Sequence, residues 1–134
     1  IGDARWFTEK SAAYASEREV FGRPIGQNQG VQFPIARAHI QTEAAALMVQ
    51  QAADLYDAGK RPGAEANMAK MLASEAAWAA ADCCVQTHGG YGFARDYDVE
   101  RKFRETRLYQ VAPISTNLIL SFIATNELSM PRSF

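Results

Sequence analysis

The sequence predicts an all-α fold, an up-and-down four-helix bundle with one short extra helix. Three observations lead to this prediction. Glycine and proline fall in clusters that separate long uninterrupted stretches, and apolar residues recur at three- and four-residue spacing within those stretches. No stretch shows convincing strand alternation. Because short connections between long helices favour antiparallel neighbours, we expect the helices to run up and down beside one another.

The first half of the chain contains two predicted helices on either side of a break. The segment from Asp3 to Glu17 is predicted to be helical, and the stretch from Ile35 to Ala58 is rich in Ala, Gln, Leu and Met. Apolar residues in this stretch recur at helical spacing, which predicts an amphipathic helix. Pro34 is expected in its first turn, where proline is tolerated. The break between the two helices contains Gly22, Pro24, Gly26 and Gly30.

Three further helices are predicted in the second half of the chain. The stretch from Ala64 to His88 would be about 36 Å long at about 1.5 Å per residue. Its many alanines leave it apolar nearly all round, so we expect it to be buried on most sides. Gly89 is expected to supply a left-handed C-terminal cap. The segment from Val99 to Tyr109 predicts a short, heavily charged helix, and Ser115 to Leu128 predicts a final amphipathic one.

The composition places the chain among single globular domains and argues against two kinds of partner. It has 134 residues, of which 48% are hydrophobic and 22% are charged. The 14 Lys and Arg residues against 15 Asp and Glu residues leave a formal net charge of -1, so no bulk attraction to nucleic acid or to an anionic membrane is expected. No run of about 18 apolar residues is present to span a bilayer. The chain is therefore predicted to be soluble, without a nucleic-acid partner.

The cysteine and histidine residues give no indication of a metal site. Cys83 and Cys84 are adjacent, which suits neither a metal clip nor a secreted disulfide framework. We interpret them as small packing residues in a protein of a reducing compartment. His39 and His88 lie about 50 residues apart and give a histidine site little to build on. We predict that no metal is bound.

Two polar segments are candidates for ligand binding. The segment from Ser16 to Gly26 contains Arg18, whose forked, permanently charged guanidinium suits a phosphate, and helix-start amides near Gln29 could receive polar ligand groups. A solvated arginine at a helix end is the ordinary alternative. In the segment from Gln86 to Phe93, glycines permit close approach of the backbone to a ligand. These glycines follow a helix rather than a strand, so they are not the Rossmann phosphate turn, and a helix cap followed by a turn is the alternative.

The order of these segments along the chain carries more information than either segment alone. A third segment, residues 99–107, has mixed charges at helical spacing and predicts an exposed face rich in ion pairs. The series is Glu17-Arg18-x-x-Phe21-Gly22, then Gln29, then Gln86-Thr87-His88-Gly89-Gly90-Tyr91-Gly92, then Val99-Glu100-Arg101 through Tyr109-Gln110. Over nearly the whole chain, this series resembles the C-terminal helical domain of the acyl-CoA dehydrogenases.

The resemblance implies an enzyme that binds FAD between the subunits of a homotetramer or dimer and oxidises an acyl-CoA to the trans-2-enoyl-CoA. Arg18 would lie nearest the pyrophosphate, and residues 86–90 would reach the adenosine half of the cofactor in a neighbouring subunit. Both would thus converge on one diphosphate across a subunit boundary, with room left by glycine and charge supplied by Arg18. The FAD contacts implied by matching position are Arg18, Phe21, Gln29, Gln86, Thr87, His88, Gly89, Gly90, and, on the flavin side, Ser115, Thr116 and Asn117.

The resemblance also sets expectations about the rest of the protein. An electron-transfer flavoprotein is the implied electron acceptor, and the compartment would be the cytoplasm in a bacterium or the mitochondrial matrix in a eukaryote. The chain opens at Ile1-Gly2-Asp3 with little lead-in, which we interpret as a helix cut partway. Residues 1–134 are therefore expected to form one domain, the C-terminal domain of a longer chain whose other domains precede Ile1.

One position departs from the family pattern. Where most members carry a catalytic Glu, this chain has Pro113, which cannot accept a proton, and no Asp or Glu occurs from Thr106 to Asn126. Three explanations are open: a base upstream of Ile1, as in some relatives; a flavin-holding subunit beside a catalytic partner; or a flavoprotein that has lost α,β-dehydrogenation. These 134 residues alone are expected to be inactive. A helical interaction module without enzymatic role is the alternative from another class, but it does not explain the glycine-rich segment.

Overall fold

The computed structural model of the protein describes residues 1–133 and confirms the all-α prediction. Five α-helices form within these residues: α1 Gly2–Glu17, α2 Gln29–Asp57, α3 Gly63–His88, α4 Val99–Arg107 and α5 Thr116–Asn126. Helices α1, α2, α3 and α5 correspond to the four predicted helices of the bundle, and α4 is the short extra one. Single turns of 3₁₀ helix at Ile25–Gln27, Gly89–Phe93, Arg95–Tyr97 and Leu108–Gln110 lie in the connections.

Helix α3 is the centre of the bundle, as its alanine content predicts. It packs against each of the other four helices. Most of its residues are buried or partly buried, because alanine lets neighbouring backbones approach closely while covering the helix with apolar surface. The core that results joins four helices and consists of Ala4, Phe7, Ala38, Ala77, Ala80, Ala81, Cys84 and Val99. Cys84 therefore packs as predicted, and burial raises the pKa of its thiol to about 11.

A polar cluster links the start of α1 to α4 across the edge of this core. The carboxylate of Asp3 accepts a hydrogen bond from the hydroxyl of Thr106 at 2.8 Å, and its other oxygen lies 2.7 Å from Nζ of Lys102. Thr106 is fully buried, and the Asp3 and Lys102 side chains are only 15% and 16% exposed. The two ends of the chain are thereby tied together through groups that satisfy one another.

The start of α2 differs from the prediction. The helix begins at Gln29 rather than at Ile35, so Pro34 lies inside the helix and not in its first turn. The extended Asn28 forms the cap, since its carbonyl accepts the N–H groups of Val31 and Gln32. Proline at this position removes the N–H that would bond the carbonyl of Gly30. Both Gly30 and Pro34 are exposed, so water can reach this turn and the helix tolerates the loss.

A two-residue hairpin between α1 and α2 was not predicted. Strands β1 Glu19–Val20 and β2 Arg23–Pro24 pair antiparallel, with Val20 opposite Arg23. The turn between them has positive φ at both central residues, 55° at Phe21 and 75° at Gly22. Such tight turns usually carry Asn-Gly or Asp-Gly, because a phenylalanine is strained at positive φ. The sequence Phe-Gly therefore gave no recognisable hairpin signal.

Two predicted helix ends also need correction, while the charged face of α4 is confirmed. Gly89 has the expected positive φ of 57°, but its ψ of -132° lies outside the left-handed helical region, and the chain continues as a 3₁₀ turn. Helix α4 likewise ends at Arg107, where a 3₁₀ turn takes over. On its exposed face, Arg101 pairs with Asp98 at 2.6 Å and with Glu105 at 2.9 Å.

Two searches of residues 1–133 concern membranes and metals. None of the helices in this part of the chain combines the length and the apolar character needed to cross a bilayer. Within the same residues, no group of three or more His, Cys, Asp or Glu side chains is arranged to hold a metal ion.

Candidate functional site

A cavity of about 460 Å³ lies at the C-terminal end of α3. It is lined by the end of α1, by residues of the hairpin segment that follows, and by residues 86–91. The structure therefore brings together six of the predicted site residues, although they lie some 70 positions apart in the sequence. The lining residues are Tyr14, Arg18, Val20, Ile25, Gln86, Thr87, His88, Gly89, Gly90 and Tyr91.

Arg18 is fixed at the mouth of this cavity by the backbone around it. It is the C-cap of α1, its N–H donates to Tyr14 at 2.8 Å, and its carbonyl accepts the N–H of Ile25 at the same distance. The guanidinium lies over the ring of Tyr91, 5.5 Å from the centroid, as in a cation–π contact. Arg18 makes no ion pair with a carboxylate of residues 1–133. Its charge and its forked donors are therefore available to an anionic ligand.

The glycines of the segment have different structural duties. A Cβ on Gly92 would lie 2.9 Å from the carbonyl oxygen of Val85, so the fold itself requires glycine at this position. A Cβ on Gly90 would meet no atom within 4 Å, and Gly90 needs no positive φ. Since packing and backbone conformation leave Gly90 unconstrained, a ligand that approaches the backbone closely is a physical reason for glycine there.

His88 forms the inner wall beside these glycines and is 3% exposed. Its ring stacks on Tyr14 at a centroid distance of 4.1 Å, and Nδ1 lies 2.9 Å from the carbonyl oxygen of Cys84. Desolvation lowers the pKa of His88, so the ring is neutral at pH 7, with Nδ1 as the donor and Nε2 as an acceptor. Nε2 is buried and finds no partner among the described residues. A buried acceptor without a partner is an unusual feature that a ligand donor would satisfy.

Two other predicted residues of this half of the site lie outside the cavity. Phe21 is at the tip of the hairpin, fully exposed and at positive φ. Gln29 is the first residue of α2 and is also exposed. Neither residue lines the cavity that contains Arg18. Any ligand contact that they make would be on the outer surface of the chain.

The remaining predicted residues, Ser115, Thr116 and Asn117, lie at the start of α5, far from this cavity. The hydroxyl of Ser115 caps α5 by accepting the N–H of Leu118 at 3.4 Å. Just before them, Pro113 lines a second cavity of about 440 Å³ together with Lys70 of α3. Lys70 precedes His88 by 18 residues, which is roughly 27 Å along a helix. The two groups of site residues are thus near opposite ends of α3.

The second cavity contains one carboxylate near the position of the missing glutamate. Asp3 lines it, but both of its oxygens are engaged, one by Lys102 and the other by Thr106. Burial acts to raise the pKa of Asp3, but the hydrogen bonds from Lys102 and Thr106 outweigh it and lower that pKa. Asp3 is therefore a weak base with no free oxygen, and it does not replace the glutamate.

A bundle with an arginine- and glycine-lined cavity at one end defines an α-helical domain built around a candidate site for an anionic ligand. The family model described as acyl-CoA dehydrogenase, C-terminal domain, matches residues 1–127. The chain belongs to the acyl-CoA dehydrogenase family, as the motif series in its sequence suggested. Members of this family are FAD-dependent oxidoreductases.

Individual relatives and solved structures agree with this assignment. Acyl-CoA dehydrogenase FadE12 of Mycobacterium tuberculosis is 42% identical over 136 residues, covering all of this chain and 35% of that protein. A chain in the structure of the electron transferring flavoprotein of Acidaminococcus fermentans superposes with a TM-score of 0.92 and 34% identity, covering 95% of this chain and 33% of that one. The FAD complex of PigA gives 0.90 and 26%, with the same coverage. The chain therefore spans about a third of the length of the relatives it matches.

Proposed function

We propose that this chain is the FAD-binding and oligomerisation domain of an acyl-CoA dehydrogenase that oxidises an acyl-CoA to the trans-2-enoyl-CoA. The observation that carries the proposal is the meeting of Arg18, which pairs with no carboxylate of the described residues, and the unconstrained Gly90 in one cavity. FAD, when bound, supplies the acceptor for the hydride that leaves the acyl group. The dehydrogenase, its acyl-CoA substrate and its other domains belong to the longer protein of which this chain would be the C-terminal part.

The residues around the cavity suit the diphosphate of a dinucleotide. The guanidinium of Arg18 supplies charge and two parallel donors, a geometry that fits phosphate oxygens. Gly89 and Gly90 keep the neighbouring backbone bare, so that phosphate can approach it. Nε2 of His88 offers an acceptor for a hydroxyl or amino group of the adenosine half, next to the side chains of Gln86 and Thr87.

The outer surface supports assembly into a homotetramer or dimer with FAD between subunits. Phe21 and Gln29 face away from the cavity, so in this proposal they contact a cofactor held by a neighbouring subunit. Helix α2 exposes three large apolar side chains at seven-residue spacing, Phe33, Ile40 and Leu47, which are 59%, 67% and 73% exposed. An apolar stripe with this spacing is typical of helices that pack against another helix.

The catalytic base is proposed to lie upstream of Ile1. Pro113 cannot accept a proton, and Asp3 is held by Lys102 and Thr106, so residues 1–133 provide no free carboxylate beside that cavity. A flavin-holding subunit beside a catalytic partner, or a flavoprotein that has lost α,β-dehydrogenation, are the second and third choices. An electron-transfer flavoprotein is the proposed acceptor, and the cytoplasm, or the mitochondrial matrix in a eukaryote, is the proposed compartment.

The visible absorbance of the purified full-length protein tests the proposal. We expect the absorption bands of a bound flavin, either as purified or after addition of FAD and removal of the excess, because the cavity residues belong to this chain. A protein that folds but shows no flavin spectrum after FAD is added would contradict the proposal. It would favour the alternative of a helical interaction module, for which the exposed stripe of α2 would be the relevant surface.

A matched pair of glycine variants tests the ligand side of the cavity. Gly90→Ala is expected to change the free energy of unfolding by no more than about 0.5 kcal/mol, since its Cβ meets open space. The same variant should weaken FAD binding by about 1–3 kcal/mol, because the methyl group occupies space that the ligand needs. Gly92→Ala is expected to destabilise the fold by about 1–3 kcal/mol, because its Cβ meets the Val85 carbonyl.

Denaturant unfolding and FAD titration of the two variants are the measurements. Equal FAD affinity in Gly90→Ala and wild-type protein would show that no ligand approaches the backbone at Gly90. A Gly90→Ala protein that unfolds as easily as Gly92→Ala would place both glycines in the service of the fold.

A further inference from the structure

Lys70 makes an unusual connection on the opposite side of the molecule from the Arg18 cavity. It lies in the first third of α3, and its Nζ donates to two backbone carbonyls, that of Tyr109 at 2.6 Å and that of Ile114. These carbonyls belong to the two ends of residues 109–114, here called the Pro113 loop, which connects the 3₁₀ turn after α4 to α5. One ammonium group therefore holds both ends of this loop against α3.

The charge of Lys70 has no counterpart nearby. No carboxylate of residues 1–133 forms an ion pair with it, and its two partners are neutral carbonyls. Asp3, the carboxylate of the same cavity, is paired with Lys102 instead. Desolvation lowers the pKa of Lys70, which shows that the ammonium is drawn partly out of water. A cation in this environment is stabilised mainly by its hydrogen bonds to the loop.

The Pro113 loop has few other attachments. The N–H groups of Val111 and Ala112 both donate to the carbonyl of Leu108, which is a contact within the same turn. Pro113 has no N–H to donate. Val111 and Ile114 are more than 45% exposed, so little apolar burial fixes the loop to the bundle. Lys70 is the contact from α3 that determines where the loop lies.

The position of the loop decides the position of the residues that follow. Ile114, whose carbonyl Lys70 binds, directly precedes Ser115, and Ser115 is the cap from which α5 begins. A displacement of Ile114 therefore shifts the cap and, with it, Thr116 and Asn117 in the first turn of α5. These are the residues assigned to the flavin side of the site.

We propose that Lys70 is a positioning residue, which holds the Pro113 loop closed and sets the start of α5 against the flavin and the acyl group. The inference rests on the proposed function, since it gives a catalytic consequence to a contact within this chain. Lys70 itself touches only the loop. Its effect on the reaction passes through the loop and the residues that the loop carries.

The test compares three variants of the full-length, flavin-loaded protein. Lys70→Met removes the donors and the charge, Lys70→Arg keeps both, and Lys60→Met is the control, since Lys60 is exposed on the turn before α3. For Lys70→Met we expect normal flavin content, a kcat roughly tenfold to a hundredfold lower, and a shifted flavin absorption maximum. Amide exchange at Val111 and Ala112 should be about tenfold faster in this variant, because the loop opens more often. Lys70→Arg is expected to recover most of the loss, and Lys60→Met to match the wild type.

Two results would overturn the proposal. In the first, Lys70→Met has the kcat, the flavin spectrum and the amide exchange of the wild type. In the second, it loses thermal stability while the molecules that stay folded keep normal kcat and normal exchange in the loop, which would make Lys70 a contributor to stability alone. If Lys70→Met does not fold, Lys70→Gln is measured in the same way and decided by the same outcomes.

Failure of the proposed function has a different signature. A wild-type protein without flavin would contradict the assignment of the enzyme. In that protein, the amide exchange of Val111 and Ala112 in the Lys70 variants would still decide whether Lys70 holds the loop.

Discussion

Arg18→Ala is expected to weaken the retention of FAD by about 1.5–3 kcal/mol, which corresponds to a factor of roughly ten to 150 in the dissociation constant. The guanidinium is held over the ring of Tyr91 at the mouth of the cavity, and no carboxylate of the described residues neutralises it. A hydrogen bond between this cation and a phosphate is of the stronger, charge-assisted kind. Alanine would remove that bond and would leave the backbone of the cavity in place.

Titration of the flavin-free, full-length protein with FAD measures this loss. Arg18→Lys should lie between alanine and wild type, because lysine keeps the charge but lacks the fork. Arg61→Ala is a suitable control, since Arg61 is an exposed residue of the turn before α3. If Arg18→Ala binds FAD as tightly as Arg61→Ala does, Arg18 is a solvated residue at a helix end and the diphosphate lies elsewhere.

Asp3→Ala is expected to lower the free energy of unfolding by about 2–4 kcal/mol, the largest effect on stability that we predict. The substitution leaves the ammonium of Lys102 and the fully buried hydroxyl of Thr106 without their acceptor. Breaking a largely buried pair costs more than the pair contributes, because the remaining partner stays desolvated. Urea unfolding of the variant and of the wild type provides the comparison.

The same contact predicts a dependence of stability on pH. Hydrogen bonds from Lys102 and Thr106 outweigh the opposing effect of burial and lower the pKa of Asp3 below its ordinary value of about 3.9. The contribution of Asp3 is therefore complete above pH 4 and is lost as the pH falls through the lowered pKa of the folded state. Asp3→Ala should lack this part of the acid sensitivity. The control is Asp57→Ala, at an exposed position, and equal stability of the two variants would show that Asp3 contributes nothing.

Local signals in the sequence account for most of the fold and for one half of the candidate site. The ends of α1 and α3 follow from glycine and proline, and the burial of α3 follows from its alanines, because these residues act within their own helix. Arg18 and residues 86–90 were found by their motif, and the bundle places them beside one cavity. The start of α2 was missed because the helix accepts Pro34 in its second turn, on an exposed side where the missing bond is tolerated.

The contacts that sequence reasoning missed join residues far apart in the chain. Asp3 and Thr106 are 103 positions apart, and Lys70 and Ile114 are 44 apart. Each of these residues taken alone resembles an ordinary polar residue of a helix, and nothing in its neighbourhood names its partner. Only the packing of α1, α3 and α4 decides that Asp3 meets Lys102 and that Lys70 reaches the Pro113 loop.

The hairpin tip has a consequence for efforts to engineer the protein. A side chain in the left-handed conformation costs about 1–2 kcal/mol, and the ring of Phe21 is fully exposed and recovers none of this within its own chain. Selection of variants for heat resistance of the lone domain would favour Asn or Gly at position 21. Such a screen would discard a ring whose benefit, in the proposed assembly, is felt by another subunit, so thermostability and assembly should be selected together.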